Sequence, residues 1–251
     1  MTIGGAPPTA VRVRAFGKEF PGFKVGDAEW RSLVGIDIDQ RAGSYVATVE
    51  ATSGGVTIRQ TEPLVVKPKQ FPTRTLRVDP DFVNPPPAVM ERIEREAAFL
   101  RETLDRVTPE RLWSMPFVRP VQDPANSRFG TRSIFNGEAR SPHGGTDFLS
   151  PHGTPVKSPN AGRVLAAREL YFTGNTVIID HGLGVVSMLA HLSRIDVREG
   201  DTVSAGQILG LVGATGRVTG PHLHWALRVS RARIDPLSAL AVVGDSGSSQ
   251  N

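Results

Sequence analysis

The sequence predicts a mainly β protein in which two β regions are joined by a linker that carries one helix. Three observations carry that expectation. Short runs of alternating polar and apolar residues fill the first 70 or so positions, a helix-period stretch follows directly on a proline triplet, and short apolar runs separated by glycine fill the second half. With 26 Gly and 20 Pro, 39% hydrophobic and 22% charged residues among 251, the chain is turn-rich and globular rather than disordered or coiled-coil.

Taken in order, Val11 to Arg14 alternate and are followed by Pro21-Gly22, read as a turn. A second alternation runs from Tyr45 to Val49, and Gly54-Gly55 reads as a hairpin before Val56, Ile58 and the run Leu64, Val65, Val66. Residues 1–78 are therefore expected to form a small antiparallel β-sandwich. Residues 79–120 are expected to be a linker. Pro85, Pro86 and Pro87 exclude a central strand and favour a helix start, and Val89, Ile93, Ala97, Leu100 and Leu104 recur at threes and fours, giving a helix over about 88–107 that packs by its apolar stripe. Residues 121–241 are expected to be a second β-domain, with strands at Thr176–Ile179, Val185–Leu189, Ile208–Leu211 and Leu223–Val229. Residues 242–251 read as a flexible tail.

Composition excludes several classes. Zero Cys removes disulfide scaffolds, thiolate metal clusters and cysteine nucleophiles, so any metal site must be built from His and carboxylates. No run approaches the roughly 18–20 apolar residues of a spanning helix, and Met1 to Ala10 has no export-signal pattern. A net charge of +4 permits an anionic partner, but without a basic run or stacking aromatics a nucleic acid is not expected. Gly210 to Gly220 lacks the Gly-Lys-Ser/Thr ending of a phosphate loop and reads as tight turns.

All 6 His lie in the second half, at 143, 152, 181, 191, 222 and 224. His222 and His224, two apart in a strand-like run, project from one face and can converge on one point. His143-Gly144-Gly145-Thr146-Asp147 reads as a turn entering a strand, its glycines permitting close backbone approach. Such groups can supply two nitrogens and an oxygen, the donor set of an open zinc site, with surplus histidines left for proton transfer. His152 and His181 stand beside turns and read as structural or solvated. Arg217, beside the histidine pair, is read equally as solvated or as a contact for an anionic group of substrate.

Together these blocks resemble the lysostaphin-type, or LytM-type, zinc endopeptidases of peptidoglycan, the M23 family. The likeness spans roughly Phe129 to Leu240. It rests on Phe129-Gly130-Thr131-Arg132, His143 to Asp147, Gly153 to Val156, Gly174 to Val177, Ala190-His191-Leu192-Ser193, and Gly213 to Gly216 through His224. The resemblance implies an antiparallel β-domain with a groove, Zn2+ held by His143, Asp147 and His224, and His191 and His222 as catalytic groups beside it. It implies hydrolysis of peptide bonds in peptidoglycan stems or cross-bridges, and hence periplasmic or extracellular action. Leu189, where the family often has Tyr, and Ala226, where an acidic residue is common, bear on substrate fit; any tyrosine assistance would come from Tyr171. The first β region resembles, more loosely, the immunoglobulin-like modules that precede such peptidases, which implies substrate positioning or intramolecular regulation of the site. The family also contains non-catalytic regulators that bind wall and act on a separate amidase. Those typically lose metal ligands, whereas all five positions are filled here.

Overall fold

The computed structural model describes residues 7–27, 29–77 and 83–243. The architecture is mainly β, as expected. In the N-terminal region β1 (Ala10–Ala15), β2 (Lys18–Lys24), β3 (Trp30–Ser32), β4 (Gly43–Ser53) and β5 (Val56–Val66) form one antiparallel sheet in the order β3-β2-β1-β4-β5. Gly54-Gly55 is the two-residue turn of the β4–β5 hairpin, which pairs from Ser53 opposite Val56 to Gly43 opposite Val66. Pro21-Gly22 is not a turn: both lie inside β2, opposite Arg12 on the neighbouring strand and Ser32 on the other side, and the chain reverses at Phe16-Gly17 instead. Gly22 is small because a Cβ there would sit 2.6 Å from the Val11 carbonyl oxygen.

This sheet does not need a second sheet of its own to cover its apolar face. Val13, Ala15, Phe20, Phe23 and Ala47 belong to the same buried cluster as Trp113, Phe117, Val177 and Trp225 of the second half. The seam is aromatic: Phe23 packs edge-on to Trp113 at 4.8 Å, Trp113 meets Phe117 at 5.5 Å, and Phe117 meets the ring of His181 at 5.5 Å. Asp37 adds a clamp, accepting from the Arg233 backbone N–H at 2.8 Å and from its guanidinium at 2.6 and 3.2 Å.

From there β6 (Thr73–Leu76) leads to α1 (Pro87–Leu104), which has proline at its first position where no backbone donor is lost. The helix ends three residues earlier than the periodicity predicts. Residues beyond it are drawn onto the second sheet: the Thr108 hydroxyl bonds the Asp180 carboxylate, and Leu183 N–H donates to Thr108 O at 2.7 Å. Phe99, Leu100 and Leu104 bring the apolar face of α1 onto Ala166, Ile178, Val186 and Met188.

The second half contributes β7 (Ala125–Ser127), β8 (Arg132–Phe135), β9 (Glu138–Ala139), β10 (Thr146–Phe148), β11 (Pro155–Lys157), β12 (Gly162–Leu170), β13 (Gly174–Gly182) and β14 (Val185–Ile195). After these come β15 (Thr202–Val203), β16 (Ile208–Val212), β17 (Leu223–Val229), β18 (Ala232–Ile234) and α2 (Pro236–Val243). The main sheet runs β15-β12-β13-β14-β17-β10-β7, with β16 bridging β11 and β14. All four apolar runs singled out in the sequence fall within its strands, and Ile178, Leu189, Leu223 and Trp225 have no exposed surface. Burying each such side chain contributes about 1.5–3 kcal/mol. A small sheet, β6-β8-β9, joins the halves: β6 pairs in parallel with β8, from Thr73 opposite Arg132 to Leu76 opposite Phe135. The linker start at 79 and the tail from 244 onward lie outside the described residues.

Candidate metal centre

Three strands of the main sheet deliver the site. Asp147 on β10 stands directly opposite His224 on β17, and His224 is in turn opposite Ala190 on β14, one residue before His191. His143 enters from the turn before β10, where its N–H donates to Thr131 O at 2.9 Å and its carbonyl accepts from Gly130 N–H at 2.8 Å. The glycine beside it serves a close approach, though to a ring rather than to an ion: a Cβ on Gly145 would lie 2.5 Å from Trp225 O and 2.8 Å from two atoms of the His224 ring.

His143 Nε2, His224 Nδ1 and Asp147 Oδ1 form a triangle with edges of 3.0, 2.8 and 3.0 Å. The other nitrogen of His143, Nδ1, lies 3.3 Å from Arg128 O and 3.5 Å from the Ser127 hydroxyl. His143 Nε2 and His224 Nδ1 both face the Asp147 carboxylate oxygen, which can only accept. Two imidazole nitrogens and a carboxylate oxygen converging on one point fit a cation: ligand atoms about 2.0–2.2 Å from a tetrahedral ion stand about 3.3–3.6 Å apart, so a small opening of the triangle would admit one. Burial alone would push the Asp147 carboxyl up, but hydrogen bonds from His143 and His224 outweigh it and hold the group well below the ordinary carboxylate range.

His191 and His222 lie beside the triangle with their rings 4.8 Å apart, and His222 Nε2 is 3.9 Å from Asp147 Oδ1. Each ring donates Nδ1–H to a backbone carbonyl, His191 to Thr215 O and His222 to Gly220 O, both at 2.9 Å, which leaves each Nε2 as an acceptor. Burial first, then the neighbouring His224 and His222, push the His191 pKa down to about 3. His191 also has a left-handed backbone, φ 66°, at a register irregularity in the β13–β14 ladder, with its N–H donated to Thr173 O at 2.9 Å. Such a conformation costs of order 1–3 kcal/mol in a non-glycine residue and re-aims its side chain out of the strand alternation.

The structure thus brings together the five residues singled out in the sequence, and it separates the other two histidines from them. His181 is fully buried, with Nδ1 bonded to Ala161 O at 2.8 Å and Nε2 to the Ser187 hydroxyl at 2.9 Å, and burial lowers its pKa to about 4. His152 is exposed. What the sequence reading missed are the groups that aim the rings: Arg128 O, Thr215 O, Gly220 O and Thr173 O. These are backbone atoms, which leave no residue-type signal. A cavity of about 970 Å³ opens elsewhere, between the Ser32–Ala42 segment, the strand end at Val65–Val66 and α2, and none of the five residues lines it.

Comparison with known proteins places this geometry. Residues 141–236 match the family model described as peptidase family M23. The peptidoglycan DD-endopeptidase ShyA of Vibrio cholerae is 46% identical over 99 residues, 39% of this chain and 23% of that protein. The DD-carboxypeptidase/endopeptidase Mpg of Neisseria meningitidis is 41% identical over 96 residues, 38% of this chain and 22% of that one. The matched part is thus less than a quarter of the length of these relatives. Likeness over nearly the whole chain comes from a crystal structure of a putative peptidase M23 from Pseudomonas aeruginosa, with TM-score 0.74, 32% identity, and coverage of 96% of this chain and 91% of that one.

Proposed function

Because the chain belongs to peptidase family M23, we propose that it is a zinc-dependent endopeptidase that hydrolyses peptide bonds in the stems or cross-links of peptidoglycan, and that it acts in the periplasm or outside the cell. The observation that carries this reading is the triangle of donor atoms on His143, Asp147 and His224 with the two acceptor nitrogens of His191 and His222 beside it. The relatives named as peptidoglycan endopeptidases support the substrate class.

In this reading His143 Nε2, Asp147 Oδ1 and His224 Nδ1 would hold the ion. Zinc bound there would supply Lewis acidity, able to polarise a carbonyl and to lower the pKa of water toward neutrality. His191 and His222 then act as one proton-transfer pair. One accepts a proton from water at Nε2 and returns it to the leaving amine, its imidazolium charge in between lying beside the developing oxyanion; the other, its Nε2 also an acceptor, holds the water by a hydrogen bond. Their fixed Nδ1–H bonds to Thr215 O and Gly220 O keep both Nε2 atoms turned to the substrate side. The N-terminal region, tied down by the Asp37–Arg233 clamp and by β6, supports the segment that leads to His143.

The test is release of new amino groups from purified peptidoglycan by the zinc-loaded protein, with mass spectrometry naming the bond. Chelated protein and the double variant His191→Ala, His222→Ala are expected to be inactive, the latter with its zinc retained. A protein that binds one zinc and wall polymer but cuts nothing would instead be a regulator of a separate hydrolase.

A further inference from the structure

The two histidines beside the donor triangle are both held by one loop, residues 213–222 between β16 and β17. His222 closes that loop: its N–H donates to Gly213 O at 3.2 Å and its Nδ1 to Gly220 O at 2.9 Å. His191 reaches the loop from β14, its Nδ1 donating to Thr215 O at 2.9 Å. In a neutral imidazole one nitrogen donates and the other accepts, so a carbonyl, which can only accept, selects the Nδ1–H form and leaves Nε2 as the lone pair. The aim of His191 therefore depends on where the Thr215 carbonyl is held.

A loop carbonyl is a weak support unless something ties it down, and the side chain of Thr215 itself does so. Its hydroxyl donates to Leu192 O at 2.8 Å and accepts from Asn175 N–H at 2.9 Å. Asn175 and Leu192 stand opposite one another on β13 and β14, next to the register shift that holds His191. One hydroxyl thus serves a strand donor and a strand acceptor at the place where the ladder is irregular. The turns around it touch. Gly174, φ 60°, and Gly216, φ 77°, flank the bridge; a Cβ on Gly174 would strike the Thr215 carbonyl carbon and hydroxyl, and one on Gly216 would strike Gly174 N. Arg217 N–H donates to Phe172 O at 2.9 Å, and His191 N–H donates to Thr173 O at 2.9 Å. Residues 172–175 therefore hold the His191 backbone directly and its ring through the Thr215 hydroxyl.

We propose that Thr215 is the positioning residue of His191: its hydroxyl locks its own carbonyl in place, and that carbonyl fixes the tautomer and the aim of the ring. This deepens the hydrolase reading above and rests on it. Thr215 acts through His191 alone, and His222, bonded to Gly213 O and Gly220 O, is the internal reference.

The experiment uses the full chain with isotope-labelled histidine, with and without zinc, as wild type, Thr215→Ser, Thr215→Val and Thr215→Ala, with thermal melts to show that each is folded. Couplings between ring protons and ring nitrogens in NMR spectra report which nitrogen of each histidine carries the proton. His191 is expected as the Nδ1–H form in wild type. Thr215→Val, which keeps the shape and loses the hydroxyl, should turn His191 into a mixture of both tautomers and leave His222 as it was, and Thr215→Ser should restore the wild-type signature. In cleavage of cross-linked stem-peptide dimers by the zinc-loaded chain, Thr215→Val should lower kcat by about 10–100-fold, the usual cost of losing a group that orients a functional side chain. KM and the zinc Kd should stay unchanged, and Thr215→Ser should recover the rate. If Thr215→Val does not fold, Thr215→Ala carries the same comparison. An Nε2–H His191 in wild type, a His191 tautomer that does not move when the hydroxyl is lost, or an unchanged kcat in that variant overturns the proposal. A tautomer that moves in a chain that cuts no stem peptide leaves the positioning of His191 standing and removes the hydrolase, whereas cleavage by wild type with an unmoved tautomer does the reverse.

Discussion

Replacing Gly145 by alanine tests whether the donor triangle binds its ion through geometry set by the backbone. The added Cβ would fall 2.5 Å from Trp225 O and 2.8 Å from Cε1 and Nε2 of His224, against an ordinary contact of 3.4 Å or more. One side must therefore give by about 0.6–0.9 Å. Trp225 is fully buried and paired across the sheet with Thr146 and Leu189, so its carbonyl cannot yield; the Gly145 backbone must back away from it, displacing the segment from His143 to Asp147, and the His224 ring must shift as well. Metal and catalytic constellations tolerate about 0.5 Å of displacement, so zinc affinity should fall by about 10–100-fold, the usual effect of disturbing a group that orients a ligand. The unfolding free energy of the metal-free protein should fall by about 1–3 kcal/mol from overpacking. Gly144, next in sequence, has open space around the position of a Cβ, so Gly144→Ala is the matched control. Zinc affinity would be measured by competition with a chromophoric chelator and stability by urea unfolding in excess chelator. Full zinc affinity in Gly145→Ala, or an equal loss in Gly144→Ala, would refute the reasoning.

Three further outcomes are expected. Zinc at about 100 times its Kd should stabilise the chain by about 2.7 kcal/mol; calorimetric melting should show this shift, and His224→Ala should abolish it. Burial would raise the Asp37 pKa, but its bonds from the Arg233 side chain and from the Asp39 and Arg233 backbones lower it to about 2. An unfolded carboxylate titrates near pH 4, so the pair's stabilisation is full above that and fades as pH falls toward 2. The gap in urea midpoint between wild type and Asp37→Asn should be clear at pH 6 and shrink by pH 3, and an unchanged gap would count against the clamp. Glu96→Gln weakens the charge-assisted bond to Tyr171 N–H and the one from Arg92 Nε, both 2.6 Å. It should cost about 1–2 kcal/mol in urea unfolding and slow peptide cleavage several-fold, because the same turn holds His191.

Side-chain chemistry was legible in the sequence wherever its signal was a residue type at a spacing. Two histidines at i and i+2 converge because a strand alternates, and the histidine four before Asp147 reaches the same point from the connection that enters β10, anchored by its backbone bonds to Gly130 and Thr131. The Gly54-Gly55 hairpin and the start of α1 at its prolines were readable for the same reason. Pro21-Gly22 misled because close packing against Val11 and a turn both select glycine, and only tertiary contact distinguishes them. The end of α1 was set by Thr108 binding Asp180, a contact 72 positions away. Phe99, outside the predicted stripe, packs on the second sheet beside Leu100 and Leu104, which belong to it. His191 sits in a left-handed conformation that no residue type at that position would suggest.

The parallel pairing of β6 with β8 bears on inheritance. The segment matched by the family, residues 141–236, begins after β8, so both strands of this pair lie ahead of it. The strand just ahead of it, Arg132–Phe135, takes one whole row of backbone bonds from Thr73–Leu76, and Arg74 reaches across to the Ser133 hydroxyl at 3.0 Å. A graft cut between those strands would carry an unsatisfied sheet edge, open to pairing with any stray chain. A new host sequence must therefore bring a replacement strand, and lineages that exchange the front half of this protein should be constrained at Thr73–Leu76 even where the rest of that half drifts.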